Sequence, residues 1–92
     1  MKIYSIYRAT NLLNGKVYIG FDSNWPRRKR DHLKSNTGSK FHNSIRKHGK
    51  DSFIWEVLYQ SLDRDHCVSI MDPHFIAEHN SVENGYNMTP GG

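Results

Sequence analysis

The strongest constraint on the fold is a hairpin signal in the first 20 residues. Side chains alternate between two faces from Ile3 to Ala9, as in a β-strand with one buried face. The chain then reaches Asn14-Gly15, a pair that tolerates the positive φ angles of tight hairpin turns. A second strand-like segment follows at 16–20. We therefore predict an antiparallel hairpin with strands at 3–9 and 16–20.

The remaining pattern predicts helices and one further strand. These elements are expected at 25–35, 40–48, 53–58 and, for the C-terminal helical region, 63–79. Pro26 suits the first turn of a helix, where a missing N–H costs nothing, and Gly49 suits a helix end. The predicted fold class is a small α/β domain, one domain over 1–92, with a three-stranded antiparallel sheet flanked by helices.

Pro73 interrupts the C-terminal helical region, and the sequence leaves two structures open there. The helix can kink at the proline, or Asp72 can cap a new helix that has Pro73 at its first position. Further on, segment 86–88 predicts a short edge strand. Residues 89–92 (Thr-Pro-Gly-Gly) are typical of the start of a linker to a further module.

The distribution of charge is more informative than its total of +4. Residues 24–50 contain nine Lys or Arg and one acid, a net of +8. The remaining residues contain four Lys or Arg and eight acids, a net of −4. A chain polarised in this way has one strongly positive region, which suits a polyanion such as nucleic acid. The alternative is a solvated face that serves solubility.

Size and composition exclude several classes of protein. Ninety-two residues can form one modest core, helped by five Tyr, four Phe and two Trp. The single cysteine, Cys67, cannot form an internal disulfide, and no apolar run reaches the ~18 residues of a membrane span. The histidines outside the motifs below lack the spacing of a zinc site. We expect a soluble, intracellular protein with no membrane partner.

Six landmarks, in the same order, resemble the GIY-YIG nuclease family. The triplets Ser5-Ile6-Tyr7 and Tyr18-Ile19-Gly20 face each other across the predicted hairpin. Arg28 comes eight residues after Gly20, and His32 lies one helical turn beyond Arg28. The other landmarks are Arg46-Lys47-His48-Gly49, Phe53 with Val57-Leu58, Phe75-Ile76, and Gly85-Tyr86-Asn87. The resemblance covers the whole chain and implies the catalytic domain of a DNA endonuclease, most similar to the homing type.

The resemblance also implies a role for each matching residue. Tyr7 and Tyr18 match the paired tyrosines, one of which helps to deprotonate the attacking water; the sequence leaves open which one. Arg28 matches the arginine that supports the scissile phosphate, a task that suits a planar, permanently charged guanidinium. His32 matches the motif histidine. Asn87 matches an asparagine that is partly structural and partly supportive of the site.

The metal ligand is the point at which this chain departs from the family. The family has a glutamate ligand for one divalent cation three residues before the aromatic-Ile pair, and that position is Asp72 here. Aspartate is a hard oxygen ligand suited to Mg²⁺ or Mn²⁺. It is one methylene shorter, however, and a misplacement of about 1 Å can lower a rate by on the order of 10²-fold. Glu78 is the alternative ligand. Ser5 and Phe21 are milder departures.

Together these features predict a metal-dependent endonuclease that hydrolyses phosphodiester bonds of double-stranded DNA. Phosphate contacts are expected from Arg27, Lys29, Arg30, Lys34, Lys40, His42 and Lys47. A domain this small has little surface for reading bases, so specificity is expected in a separate, C-terminal module. Because Asp72 departs from the pattern, the alternative prediction is a catalytically weak or inactive GIY-YIG fold that binds DNA or protein.

Overall fold

The sheet is the centre of the structure, a computed structural model that describes residues 2–35 and 37–91. Its strands are β1 (Tyr4–Asn11), β2 (Val17–Asp22) and β3 (Phe53–Ser61), antiparallel and in the order β2-β1-β3. The predicted hairpin and third strand are confirmed, and each strand extends two or three residues further than predicted. Asn36, in the predicted interhelical loop, and Gly92, in the predicted linker, lie outside the described residues.

Helices flank the sheet, as predicted. They are α1 (Arg27–Lys34), α2 (Lys40–His48), α3 (Arg64–His66), α4 (Asp72–His79) and α5 (Ser81–Asn84). The bounds of α2 are those predicted, because Ser39 caps its first turn and Gly49 ends it with a φ of 88°. Pro26 precedes α1 rather than lying in its first turn. Within the described residues, no helix has the length and apolar content needed to cross a membrane.

The C-terminal helical region is continuous through Pro73. A π turn, Cys67–Met71, joins α3 to α4, and the N–H of Asp72 donates to the carbonyl of Cys67, five residues earlier. The backbone of Asp72 is itself helical, with φ −62° and ψ −53°. The predicted capping role of Asp72 is therefore wrong, because a cap residue lies outside the helical conformation. The region is referred to below as the 64–79 helix.

The predicted edge strand at 86–88 is also wrong. The N–H of Tyr86 donates to the carbonyl of Val17 at 2.9 Å, but the N–H of Asn87 turns back to the carbonyl of Ser81. The side chain of Asn87 takes over the pairing with β2: its Oδ1 accepts from the N–H of Ile19, and its Nδ2 donates to the carbonyl of Ile19, both at 2.8 Å. A side-chain amide thus replaces the backbone ladder.

The two faces of the sheet bury different groups. On the Ile6 face, Ile6 and Ile19 pack with Cys67 and Ile76 of the 64–79 helix. The Tyr7 face carries Tyr7, Ala9 and Tyr18 and is covered by α1 and α2. Its core contains Ala9, Phe41, Ile45, Phe53 and Tyr86. The buried polar residues His32 and Ser44 belong to the helices on the Tyr7 face.

Candidate active site

The hairpin register places both tyrosines on one face of the sheet. Tyr7 pairs with Gly20 and Ala9 pairs with Tyr18, so the two rings lie diagonally, with centroids 6.2 Å apart. The ring of Tyr7 covers Gly20, and a Cβ on that residue would lie 2.3 Å from Cζ of Tyr7. The glycine of the Tyr18-Ile19-Gly20 triplet is therefore required for space. Replacing it with any other residue displaces Tyr7.

Tyr7 is fully buried and bonded to a histidine. Its hydroxyl lies 2.7 Å from Nε2 of His32, which is itself only 6% exposed. Burial raises the pKa of Tyr7 far above its ordinary value, and the negative charge of an ionised Tyr18 would add to this, while Arg28 opposes it. Burial, followed by the charges of His42 and Arg28, lowers the pKa of His32 to about 4. At neutral pH both groups are therefore uncharged, and an uncharged imidazole can accept a proton from the hydroxyl.

Asp22 fixes the start of α1 beside the end of β2. Its carboxylate is 1% exposed and accepts hydrogen bonds from the N–H of Asn24 at 2.8 Å and of Arg28 at 2.9 Å. The side chain of Asp22 thus accepts hydrogen bonds from free N–H groups at the start of α1, although Asp22 lies four residues before Pro26. The guanidinium of Arg28 remains exposed, as the phosphate-binding role predicted from the sequence requires.

A cleft of about 440 Å³ brings together four of the predicted catalytic residues, Tyr7, Tyr18, Arg28 and Asp72. Asp72 belongs to the helix on the Ile6 face, and it reaches this cleft at the β2 edge of the sheet. Burial raises the pKa of Tyr18, Arg28 lowers it and Asp72 raises it, so both charges act on the Tyr18 hydroxyl. A phenol, a cation and a carboxylate therefore share one solvent-accessible space.

The other two predicted catalytic residues line a neighbouring cleft. His32 and Asn87 meet Tyr18 and Arg28 there, in a volume of about 240 Å³. Asn87 is buried, and both ends of its amide bond to Ile19, the residue next to Tyr18. Asn87 thus holds β2 in place beside Tyr18, which agrees with the structural half of its predicted role. Its predicted supportive role at the site stays a prediction.

Two residues expected to contact phosphate have partners within the protein. Nε2 of His42 lies 2.6 Å from Nδ1 of His32, and Nδ1 of His42 is hydrogen-bonded to Oγ1 of Thr37. The ammonium of Lys40 donates to the carbonyl of Val82 at 3.1 Å. Their predicted phosphate contacts stay predictions, but the structure assigns His42 a more specific environment than a surface cation would have.

The remaining predicted phosphate contacts lie on α1 and α2. Lys29 is half-buried, and its ammonium lies 5.8 Å from the centroid of the Trp55 ring. Arg27 also lines the 440 Å³ cleft beside Arg28. The exposed members of this remaining group are Arg27, Arg30, Lys34 and Lys47. A cationic surface thus continues from the cleft onto these helices.

Arg64 is a cleft residue that the sequence analysis missed. It lines the same cleft as Arg28, and its guanidinium lies 5.7 Å from the centroid of the Phe21 ring. Its ion pair with Asp65 is long, at 3.8 Å, and exposed. Arg64 lies outside the basic segment at 24–50, so the charge pattern did not indicate it. The available signal was periodicity: Arg64, Val68 and Asp72 are four residues apart and all line the cleft.

Asp72 is the carboxylate best placed to hold a divalent cation. Among residues 2–35 and 37–91, no group of three or more His, Cys, Asp and Glu side chains could hold a metal ion. Three carboxylates line the cleft, those of Asp22, Asp31 and Asp72. Asp22 accepts from two backbone N–H groups, Asp31 is an exposed residue of the cationic helix α1, and only Asp72 stands at the position of the family's glutamate. Glu78 lies 3.3 Å from His74 and does not line the cleft. Mg²⁺ keeps several waters and often takes only one or two protein carboxylates, so a single aspartate beside a phosphate site fits it.

Comparison with known proteins agrees with these features. The GIY-YIG catalytic domain profile matches residues 3–87. Endonuclease segE of Enterobacteria phage T4 is 30% identical over 90 residues, which are 95% of this chain and 41% of segE. The chain thus spans about two fifths of that relative's length.

Two solved structures of the I-TevI catalytic domain share the fold. A mutant of this intron endonuclease domain has a TM-score of 0.84 at 32% identity, covering 98% of this chain and 96% of that one. The domain described as that of homing endonuclease I-TevI has a TM-score of 0.76 at 33% identity, covering 94% and 98%. The predicted fold class and family resemblance are confirmed: the chain belongs to the GIY-YIG catalytic domain family.

Proposed function

We propose that this domain is a metal-dependent endonuclease that hydrolyses phosphodiester bonds of double-stranded DNA, and that it acts in the manner of a homing enzyme. The observation that carries the proposal is the 440 Å³ cleft shared by Tyr7, Arg28 and Asp72. Phosphodiester hydrolysis needs a proton acceptor for water, a cation for the phosphate and a ligand for a metal ion. The cleft supplies all three.

Tyr7 is the tyrosine that we assign as the proton acceptor. It can take a proton from the attacking water while passing its own proton to Nε2 of His32, 2.7 Å away. This coupling is important because the pKa of Tyr7 is raised by burial, so a free phenolate does not form at neutral pH. Tyr18 lies where Arg28 and Asp72 act on its pKa in opposite directions, which suits a residue that orients the water.

Arg28 is the residue that we assign to the scissile phosphate. Its backbone is held by Asp22, so the guanidinium projects into the cleft from a fixed helix start. A guanidinium stays charged and can bond to two phosphate oxygens as negative charge develops on them. Asp72 would hold Mg²⁺ or Mn²⁺, which when bound stabilises the negative charge of the departing 3′ oxygen.

The cationic surface of α1 and α2 supports double-stranded DNA as the substrate. Its Lys and Arg side chains suit phosphates, and a domain of this size has little surface for reading bases. We therefore propose that target selection lies in a further module. The I-TevI comparisons, whose names describe homing and intron endonucleases, support the homing role over a restriction or repair role.

A plasmid-nicking assay tests the proposal. Supercoiled DNA is incubated with the purified domain in Mg²⁺, in Mn²⁺ and in EDTA. We expect nicked and linear products in either metal and none in EDTA. A domain that binds the plasmid but cuts it under none of these conditions would be the catalytically inactive binding module instead, a role that the shorter side chain of Asp72 favours.

A further inference from the structure

A chain of hydrogen bonds leads from the buried Tyr7 to the surface. It runs from the Tyr7 hydroxyl to Nε2 of His32 at 2.7 Å, then from Nδ1 of His32 to Nε2 of His42 at 2.6 Å. Nδ1 of His42 is hydrogen-bonded to Oγ1 of Thr37. Tyr7 is fully buried, His32 is 6% exposed, His42 is half-buried and Thr37 is exposed. Exposure thus increases at each step.

Both imidazoles are suited to carry a proton because both are uncharged. Burial is the largest cause that lowers the pKa of His32, and His42 and Arg28 add to it against Asp31 and Asp22. Burial also lowers the pKa of His42, followed by Arg46 and Arg28. An uncharged imidazole has one N–H and one lone pair, so it can accept a proton on one nitrogen and release another from the opposite nitrogen.

We propose that His42 is the proton exit of this active site, receiving the proton of Tyr7 through His32 and releasing it at the surface beside Thr37. The proposal rests on the endonuclease function above, which assigns Tyr7 as the acceptor. His42 acts through His32 and does not touch the substrate, so it is a positioning residue. This role differs from the phosphate contact that the sequence predicts for His42.

The proton balance fixes the direction of each hydrogen bond. At rest the Tyr7 hydroxyl donates to His32, Nδ1–H of His32 donates to His42, and Nδ1–H of His42 donates to Thr37. When water attacks the phosphorus, its proton goes to the Tyr7 oxygen, and each group passes one proton outwards. One proton enters at Tyr7 and one leaves at His42. The leaving 3′ oxygen takes its proton from solvent. The net charge of the protein does not change, but both imidazoles then carry their proton on Nε2. Once the product has left, the chain runs in reverse: Nδ1 of His42 takes a proton from solvent, and the Tyr7 hydroxyl returns one to water in the open cleft.

A phosphate contact by His42 is less consistent with the structure. Arg28 and Arg46 already lower the pKa of His42, so the positive form that binds phosphate is disfavoured. One ring nitrogen faces His32 and the other faces Thr37, so both are engaged inside the protein. The two roles differ in what a substitution changes, because a phosphate contact affects DNA binding and a proton exit affects turnover.

Nitrogen NMR of the imidazole rings in the wild-type domain tests the resting state without any activity. We expect both His32 and His42 to carry their proton on Nδ1 at neutral pH. A proton on Nε2 of either ring would reverse a hydrogen bond in the chain and overturn the proposal. This measurement also covers the case in which a His42 variant fails to fold.

Turnover by His42→Ala tests the exit itself, with His48→Ala on the same helix as the matched control. We expect kcat to fall by about 10- to 100-fold in His42→Ala, with no change in the Kd for a short duplex and no loss in His48→Ala. Added imidazole and methylimidazoles should enter the space left at the half-buried position 42. Their rescue of kcat should increase with the pKa of the added base.

Three results would overturn the role of His42 as the proton exit without contradicting the proposed endonuclease function. They are an unchanged kcat, a weaker Kd at unchanged kcat, and a lower kcat with a lower Tm that no added base rescues. An absence of cleavage by the wild-type domain is a different outcome, because it removes the proposed function on which the exit rests.

Discussion

Helices cover both faces of the sheet, yet the two faces bury different kinds of side chain. The Ile6 face packs an apolar cluster against the 64–79 helix. The Tyr7 face buries Tyr7 and His32 in hydrogen-bonded contact. Apolar burial contributes stability without direction, whereas buried polar groups must be paired and therefore hold a fixed geometry. Both faces therefore stabilise the fold through an apolar core, and we infer that the Tyr7 face alone also carries the chemistry.

Asp72 is the exception that joins the two faces. It belongs to the helix of the Ile6 face, but it lines the cleft of the Tyr7 face. The π turn before it changes the helical repeat at the point where Pro73 has no N–H to donate. Substitutions in the apolar cluster of the Ile6 face should therefore affect stability alone, and substitutions of the polar groups on the Tyr7 face should affect cleavage.

The largest expected effect is on cleavage, from the exposed cation of the cleft. Arg28→Ala should lower cleavage by about 10²- to 10³-fold or more, because a cation that stabilises the developing charge is lost. The fold should be unchanged, since Asp22 bonds to the backbone of Arg28 and not to its side chain. Plasmid nicking and circular dichroism measure the two properties. Lys16→Ala removes an exposed cation from the hairpin turn and should cut normally; full cleavage by Arg28→Ala would contradict the site.

The next effect compares adjacent residues on opposite faces. Ile6→Ala should lower the free energy of unfolding by about 2–5 kcal/mol, because it leaves a cavity in an apolar core. Where the variant is folded, its cleavage should stay near the wild-type rate. Tyr7→Phe should do the reverse, with about 1 kcal/mol of lost stability and a large loss of cleavage. Urea denaturation measures the free energy of unfolding, and plasmid nicking measures cleavage. Poor cleavage by fully folded Ile6→Ala would contradict the separate roles of the two faces.

A third effect is the pH dependence of stability that a buried histidine causes. The pKa of His32 is about 4 in the folded protein and about 6.5 when unfolded, so the unfolded chain binds more protons between these values. The free energy of unfolding should therefore be independent of His32 above pH 6.5. It should fall between pH 6.5 and pH 4 by on the order of 1 kcal/mol per pH unit. His42, whose pKa is also lowered, adds in the same direction. The free energy of unfolding of His32→Gln should fall less steeply; an equal slope would contradict burial of a neutral His32.

The smallest effect concerns the residue that the sequence analysis missed. Arg64→Ala should weaken DNA binding by roughly 3- to 10-fold and lower the salt slope by about one counterion, because one phosphate contact is lost. Arg64→Lys keeps the charge and should restore most of the slope. Fluorescence anisotropy over a salt series measures both quantities. A slope and a Kd equal to those of the wild type would remove Arg64 from the DNA surface.

Local patterns in the sequence predicted the main elements of the fold, and the family resemblance predicted the catalytic residues of the cleft. Turn chemistry at Asn14-Gly15, a cap at Ser39 and a stop at Gly49 act over a few residues, so they are readable in one dimension. The tyrosines followed from the hairpin register. The family spacing supplied Arg28 and Asp72, which no local pattern identifies as catalytic.

The features that the sequence did not predict depend on contacts between distant segments. Asn87 pairs with Ile19 through its side chain, and this suppresses the edge strand. The contact between His32 and His42 depends on how α1 and α2 pack together, and the two residues are ten positions apart in the sequence. Asp72 looked like a cap because Pro73 follows it, and only the π turn shows that the helix continues. Such contacts depend on packing, which a single sequence does not display.

Nicking by Asp72 variants tests the central claim, that the cleft is a metal-dependent site with Asp72 as its ligand. Asp72→Asn keeps the size of the side chain and should remove Mg²⁺-dependent nicking by deleting the anionic ligand. Circular dichroism checks that the variant is folded. Asp72→Glu should keep or increase nicking, since it restores the longer reach of the family's glutamate. Full Mg²⁺-dependent nicking by Asp72→Asn would contradict the account and move the search for the ligand to another carboxylate.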